Sequence, residues 1–242
     1  MSATRSESSV GADVLTHSHR LRLKLELVGH VLSSPTRALL DHPHAYRAFL
    51  SRVCCIAQSF VPLLEAAAGR AQEMAPGDPV AEGLIPYLEK HIVEESGEDM
   101  MADLEALGST PSEVLSHMSS STIAALVGSQ YYWIHHCHPI AVLGYIEVLE
   151  GYPSPKSSIE ELIVKTGLPR AGFRSLLQHA ELDVRHRDEL HGVLNSLPLD
   201  RNQTALLGMS ALETVHLLNQ AFIEVFEEAV ERSPAPPMPS IR

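Results

Sequence analysis

Three side chains able to bind a metal stand at i, i+4 and i+7 in the segment HAELDVRH: His179, Asp183 and His186. On a helix turning about 100° per residue they fall within roughly 60° of arc, so they stack along one stripe beside Leu182. Any one of them alone would be an ordinary solvated residue. As a triple they read as one wall of a metal site. A second segment, HIVEESGEDMMADLEALG, repeats the spacing with His91, Glu95 and Glu98, and Glu94 borders that stripe. An acidic solvent face would look similar, but a dinuclear carboxylate centre draws its ligands from several facing helices. The third piece is Glu147, in PIAVLGYIEVLEG among Val142, Leu143, Ile146, Val148 and Leu149. A carboxylate on so apolar a helix points inward and must then be protonated, paired or bound to a cation. Arg170 or Arg174 could pair with it; a metal is the favoured reading.

The chain carries 14 histidines, so the remaining ones need weighing. His135, His136 and His138 lie beside Pro139 and cannot all converge, because neighbours on a helix point about 100° apart. One of them, such as His136, could line a pocket or donate a hydrogen bond to a ligand. His42 and His44 flank Pro43, where helix capping is the modest explanation. His191 and His216 read as surface or core residues. There is no glycine-rich phosphate loop, nucleophile elbow, CxxC pair or HExxH motif, and HxxEE at 91–95 lacks the second histidine of a zincin.

The elements that must position these residues are helices. The expected helices run from the HSHRLRLKLELVGHVLSS stretch to Ser34, then Asp41–Ala71 with a kink at Pro62 and Asp41 as N-cap. A third covers Val80–Leu107, closed by Gly108. A fourth starts near Thr110 or Ser112 and leads into IAALVGSQYYWIHHC, and Pro139 opens or kinks a run to Gly151. Ser158–Leu168, a long helix from Pro169 to about Leu197, and Gln203–Glu231 complete the set. LRLKLEL also alternates with period two, but everything downstream is helical. This is an all-α bundle of about seven helices, read as one domain over 16–232 with a flexible N-terminus (1–15) and a disordered proline-rich tail (233–242).

With 242 residues the chain can bury a sizeable core. Its formal charge of −12 argues against non-specific nucleic-acid binding. Cys54, Cys55 and Cys137 form neither a disulfide framework nor a zinc knuckle. No run approaches the roughly 18 uncharged apolar residues of a membrane span, and the N-terminus has no signal-like apolar region, so a cytoplasmic protein without membrane partners is expected.

Glu147 followed by HxxxDxxH at His179, Asp183 and His186, with an HxxEExG…DLxxLG helix before them, resembles the haem-oxygenase-like diiron oxidases and oxygenases. The resemblance spans about residues 35–230. It implies that His179, Asp183 and His186 bind iron and that Glu147 ligates or bridges. The family usually has ExGH on the third helix; here Glu98 stands where the histidine is expected, and His91, on the same stripe, could supply the missing nitrogen. The implied cofactor is a pair of ferrous ions, with manganese as the alternative, since imidazole and carboxylate ligands without thiolates suit either.

The implied activity is dioxygen-dependent oxidation of a small amino-acid-like or fatty-acyl substrate, often in specialised biosynthesis, with or without an external electron donor. Arg170 or Arg174 could clamp a substrate carboxylate, and Tyr132, with Tyr131 and Trp133, could wall the pocket. A homodimer is expected. Two rivals remain: a metal-independent oxidase or hydrolase on the same bundle, and a non-catalytic metal- or partner-binding helical protein.

Overall fold

The structure, a computed structural model, describes residues 15–33, 40–96, 100–110, 112–113 and 120–231. The helices are α1 (His17–Ser33), α2 (Pro43–Met74), α3 (Pro79–Glu95), α4 (Met100–Ala106) and α5 (Ser121–His136). They continue with α6 (Ala141–Glu150), α7 (Lys156–Thr166), a 3-10 turn (Arg170–Phe173), α8 (Arg174–Ser196) and α9 (Arg201–Glu231). Among the described residues there is no strand. The period-two leucines of α1 show why helix wins there. Leu21 and Leu25, four apart, are buried, while Leu23 and Leu27 are exposed, so one helical face meets the core.

Several boundaries depart from the expected ones. α2 starts from His42 rather than Asp41, whose carboxylate instead accepts from Lys165 Nζ at 3.0 Å. Pro62 lies inside α2 without ending it. The expected Val80–Leu107 helix is split, with α3 closing at Ser96, whose N–H bonds Ile92 O, before α4 begins at Met100. Residues 97–99, Glu98 among them, lie outside the described residues, as do residues 1–14 of the N-terminus expected to be flexible and the tail expected to be disordered. Gly108 closes α4 at φ +90, the left-handed geometry that a glycine adopts without a Cβ clash. Thr110 and Glu113 then form a reciprocal capping box: Thr110 N donates to Glu113 Oε2 (2.8 Å) and Glu113 N to Thr110 Oγ1 (3.2 Å). Pro169 opens a 3-10 turn rather than the long helix, and α8 begins at Arg174.

The buried interior centres on α6, whose residues Ala141–Glu147 are all buried. α6 packs most extensively on α9, and α2 on α3. A Cβ at Gly144 would stand 2.4 Å from Leu207 O and 2.9 Å from Ala211 N, so α6 and α9 meet backbone to backbone at a point only glycine permits. α2 is the one described helix long and apolar enough, by length and composition, to cross a membrane. Here it carries residues such as Leu50, Leu63, Leu64 and Ala67 into the interior and contacts α3, α4, α5 and α9. A smaller core of Tyr46, Leu50, Met100, Leu104, Leu107 and Phe173 joins α2 and α4 to the 3-10 turn.

Candidate metal centre

Three helices bring ligand-type side chains together, and each is anchored by a polar contact or close packing. Asp78 caps α3, its Oδ1 accepting from Val80 N (2.8 Å) and Ala81 N (3.1 Å). Its Oδ2 lies 3.1 Å from His138 Nε2, while His138 Nδ1 accepts from Ile140 N at 3.0 Å. His138 therefore carries its proton on Nε2 and ties the start of α3 to the start of α6. Burial opposes the Asp78 charge, but the Ala81 and Val80 amides and His138 outweigh it and hold the carboxyl below its ordinary value. α8 is anchored by Asp103 of α4: its buried Oδ2 accepts from Ser175 N at 2.8 Å, meeting one of the orphan donors of the helix start. Tyr46 reinforces this junction, donating to Gly172 O at 2.8 Å and stacking on Phe173 at 4.2 Å.

Between these supports lie His91 and Glu95 of α3, Glu150 of α6 and His186 of α8, all buried. His91 Nε2 is 3.2 Å from Glu150 Oε1; His186 Nδ1 is 3.2 Å from Glu150 Oε2 and 3.5 Å from Glu95 Oε1. The two imidazoles meet edge to face at 4.9 Å, and Tyr87 stacks on His91 at 5.4 Å, fixing that ring from behind. Burial pushes the Glu150 carboxyl up, but the flanking His186 and His91 prevail and its pKa falls below the ordinary value. The Glu150 carboxylate in turn raises His186. Glu94 stands at the border, 3.6 Å from His186 Nε2 and paired with Arg185 at 3.2 Å.

The donor set fits a divalent cation. It offers two imidazoles and two carboxylates, and one ligand atom from each lies within 4.8 Å of all the others. Donors of one ion, each at about 2.1 Å, stand about 3.0–3.4 Å apart when cis or tetrahedral and up to about 4.2 Å when trans, so a bound ion would draw the widest pairs of the group inward. Glu150 Oε2 and His186 Nδ1 are both buried and, though close, lack hydrogen-bond alignment with each other or with any neighbour. Buried polar atoms that meet only each other are groups that a cation can join. Nitrogen and carboxylate donors without thiolate suit iron or manganese.

Three of the four come from the stripes read in the sequence: His91, Glu95 and His186. Glu150 does not. It is the last residue of α6, where the negative end of the helix dipole disfavours a carboxylate; a buried acid there, without a nearby basic residue in the sequence, was the available signal. Glu147 stands outside the group. Its Oε2 lies 2.8 Å from His191 Nε2, its Oε1 is buried without a partner, and a Cβ on Gly151 would press on its carboxyl. Burial raises its pKa to about 7, against the opposing pull of Arg22 and Arg187.

His179 and Asp183 are bonded to each other, Nδ1 to Oδ1 at 3.1 Å, and both line the same cavity as Glu95 and Glu150. Burial raises the Asp183 carboxyl, against the opposing pull of His179. The pair thus lines the same cavity as two members of the four-residue group.

The residues expected to hold substrate are elsewhere. Arg170 forks onto Glu160 at the surface. Arg174 is spent on Ala102 O and Asp103 near the start of α8. Tyr132 and His136 are exposed on α5, where their rings lie 4.9 Å apart. What the metal-type residues do border is a cavity of about 1290 Å³ between α2, α4, α7, α8 and α9.

No family model matches the chain, and no curated protein matches its sequence. Two of the solved structures similar to it in shape cover most of the chain. One is a domain of unknown function with a haem oxygenase-like fold from Shewanella denitrificans, with TM-score 0.74 and 14% identity, covering 92% of this chain and 97% of that one. The other is a CADD-like protein of unknown function from Nostoc punctiforme, with TM-score 0.59 and 15% identity, covering 90% of this chain and 99% of that one. Identity this low speaks to fold alone: the chain has the haem-oxygenase-like, all-α fold that its helix pattern and HxxxDxxH segment led one to expect.

Proposed function

We propose that the chain is a non-haem, iron-dependent oxidase or oxygenase that uses dioxygen on a small organic substrate. The observation that carries this reading is the buried His91–Glu95–Glu150–His186 group, of which Glu95 and Glu150 line a large cavity. Bound iron supplies the capacity to reduce dioxygen, which the twenty side chains lack. His91, Glu95, Glu150 and His186 hold the first ion, and His179 with Asp183 offers ligands for a second. Tyr87 keeps the His91 ring in place. Glu94, paired with Arg185, lies beside the far nitrogen of His186 and adds negative charge there.

The metal-independent alternative also has an observation behind it. Glu150 already lies between two histidines at 3.2 Å, an arrangement that could move protons without an ion. One experiment separates the two. The metal-free protein is loaded anaerobically with ferrous iron, the metal per chain is counted, and dioxygen is admitted while the optical spectrum is followed. The expected result is about two irons per chain, a dioxygen-dependent spectral change, and loss of metal in His186→Ala. Absence of bound iron, or binding unchanged in His186→Ala and Glu150→Gln, overturns the proposal in favour of acid–base chemistry.

A further inference from the structure

Helices α6 and α8 meet through two carboxylate–imidazole pairs, and only one of them belongs to the metal-type group. Glu150 faces His186; three residues back along α6, Glu147 faces His191, with Oε2 2.8 Å from Nε2. The Glu147 side chain is fully buried, whereas that of His191 is 18% exposed, so the imidazole connects the carboxyl to solvent. Glu147 Oε1 is buried without a hydrogen-bond partner. It lies beside the end of α6 that carries Glu150, because a Cβ on Gly151 would stand 2.8 Å from it. Glu147 and Glu150 are separated by about 4.5 Å of helix rise. Neither Glu147 nor His191 lines the cavity that Glu95 and Glu150 border, so this pair is a second approach to the group.

An acid held against a partly exposed imidazole exchanges its proton with water more readily than a buried acid alone. The groups around the pair set its proton affinity. Burial raises the Glu147 carboxyl to about 7, against the pull of Arg22 on α1 and Arg187 on α8. Burial lowers the His191 imidazole, aided by the same two arginines and opposed by Asp188. Burial first, and then nearby carboxylates with Glu147 among them, raise the phenols of Tyr152 after α6 and Tyr87 on α3. Carboxyl and imidazole are thus close in affinity, the condition under which a proton passes in either direction.

We propose that His191 and Glu147 form a proton path from solvent to the metal group, separate from the cavity. The Glu147 acid releases the proton on Oε1 towards the Glu150 side, where dioxygen reduction consumes it. Oε2 takes the proton on His191 Nε2, and His191 Nδ1 takes one from water. One proton enters and one leaves, and no electron moves. Rotation of the carboxyl and exchange of the imidazole tautomer through water restore the starting state. This inference rests on dioxygen reduction at the metal group and names the route by which its protons arrive.

Two measurements test it, one of them without iron. In the metal-free protein, at a pH where Glu147 is protonated, its carbonyl stretch is identified by infrared spectroscopy from its absence in Glu147→Gln. The shift of that band on mixing into heavy water is expected to be about 100-fold slower in His191→Phe, and in His191→Gln should the first variant not fold. In the iron-loaded protein the spectral change on admitting dioxygen is timed by stopped flow. Glu147→Gln and His191→Ala are expected to slow it about 100-fold at unchanged iron per chain, with added imidazole restoring His191→Ala but not Glu147→Gln. A purely structural pair gives neither the slowed exchange nor the selective rescue. Exchange as fast in the His191 variants as in wild type overturns the path, as does a wild-type dioxygen rate in either iron-loaded variant. Absence of bound iron refutes the metal-centred reading, while the exchange measurement decides separately whether His191 connects Glu147 to solvent.

Discussion

Glu147 and Glu150 lie three residues apart on the same buried helix, and replacing each by glutamine separates their roles. In the structure Glu147 sits outside the His91–Glu95–Glu150–His186 group, against His191, with its carboxyl pKa raised from an ordinary 4.5 to about 7 by burial. Because the folded state holds this proton more tightly than the unfolded chain, the group's contribution to stability is complete below pH 4.5. It declines as pH rises and is gone above about 7. The difference between the two values corresponds to about 3 kcal/mol. Glutamine has the shape of the protonated acid and can still hydrogen-bond His191, but it never ionises. Glu147→Gln should therefore match wild type near pH 4.5 and exceed it by up to about 3 kcal/mol at pH 8.

The assay is urea unfolding of both metal-free proteins at the two pH values, with iron per chain measured in parallel. Glu147→Gln should keep its iron. Glu150→Gln removes a donor from the group itself, and even an outer-shell partner is worth 10- to 100-fold in metal affinity, so its iron binding should fall by about 100-fold or more. If Glu147→Gln shows no gain at pH 8, or loses iron as Glu150→Gln does, the assignment of the two carboxylates is refuted.

Two further perturbations probe the supports of the site. Asp103→Ala removes the acceptor for Ser175 N at the start of α8 and should destabilise by about 1–3 kcal/mol, read as a lower melting temperature, with Asp103→Asn recovering part of the loss. Gly144→Ala forces a Cβ to within 2.4 Å of Leu207 O and should cost about 1–3 kcal/mol in urea unfolding. Gly192→Ala, in α8 with nothing within 4 Å of the new methyl, should instead stabilise by about 0.5–1 kcal/mol; equal effects at the two positions would contradict the described packing of α6 on α9.

Local pattern sufficed wherever the relevant period was short. The leucines of α1, the glycine after α4, the i, i+4 and i+7 stripes and the proline-marked turns are all set by residues within a few positions of one another. They made the all-α class and the stripes of His91–Glu95 and His179–His186 legible. Gly167, at φ +63, is an equally local stop signal and ends α7 at Thr166, two residues before the expected Leu168.

What local pattern could not settle is which side of an apolar helix faces which neighbour. Glu147 and Glu150 differ by only about 60° around α6. The close contact at Gly144 sets the rotation of α6 against α9, and α8 then offers His191 to one carboxylate and His186 to the other. The arginines are a similar case: their charge is in the sequence, but their commitment to Glu160 and Asp103 depends on residues 10 and 71 positions away. Residue type and spacing thus determined what the chain could bind with. Long-range packing, through the turn of one helix against another, decided which of those side chains meet at the centre and left a cavity beside them.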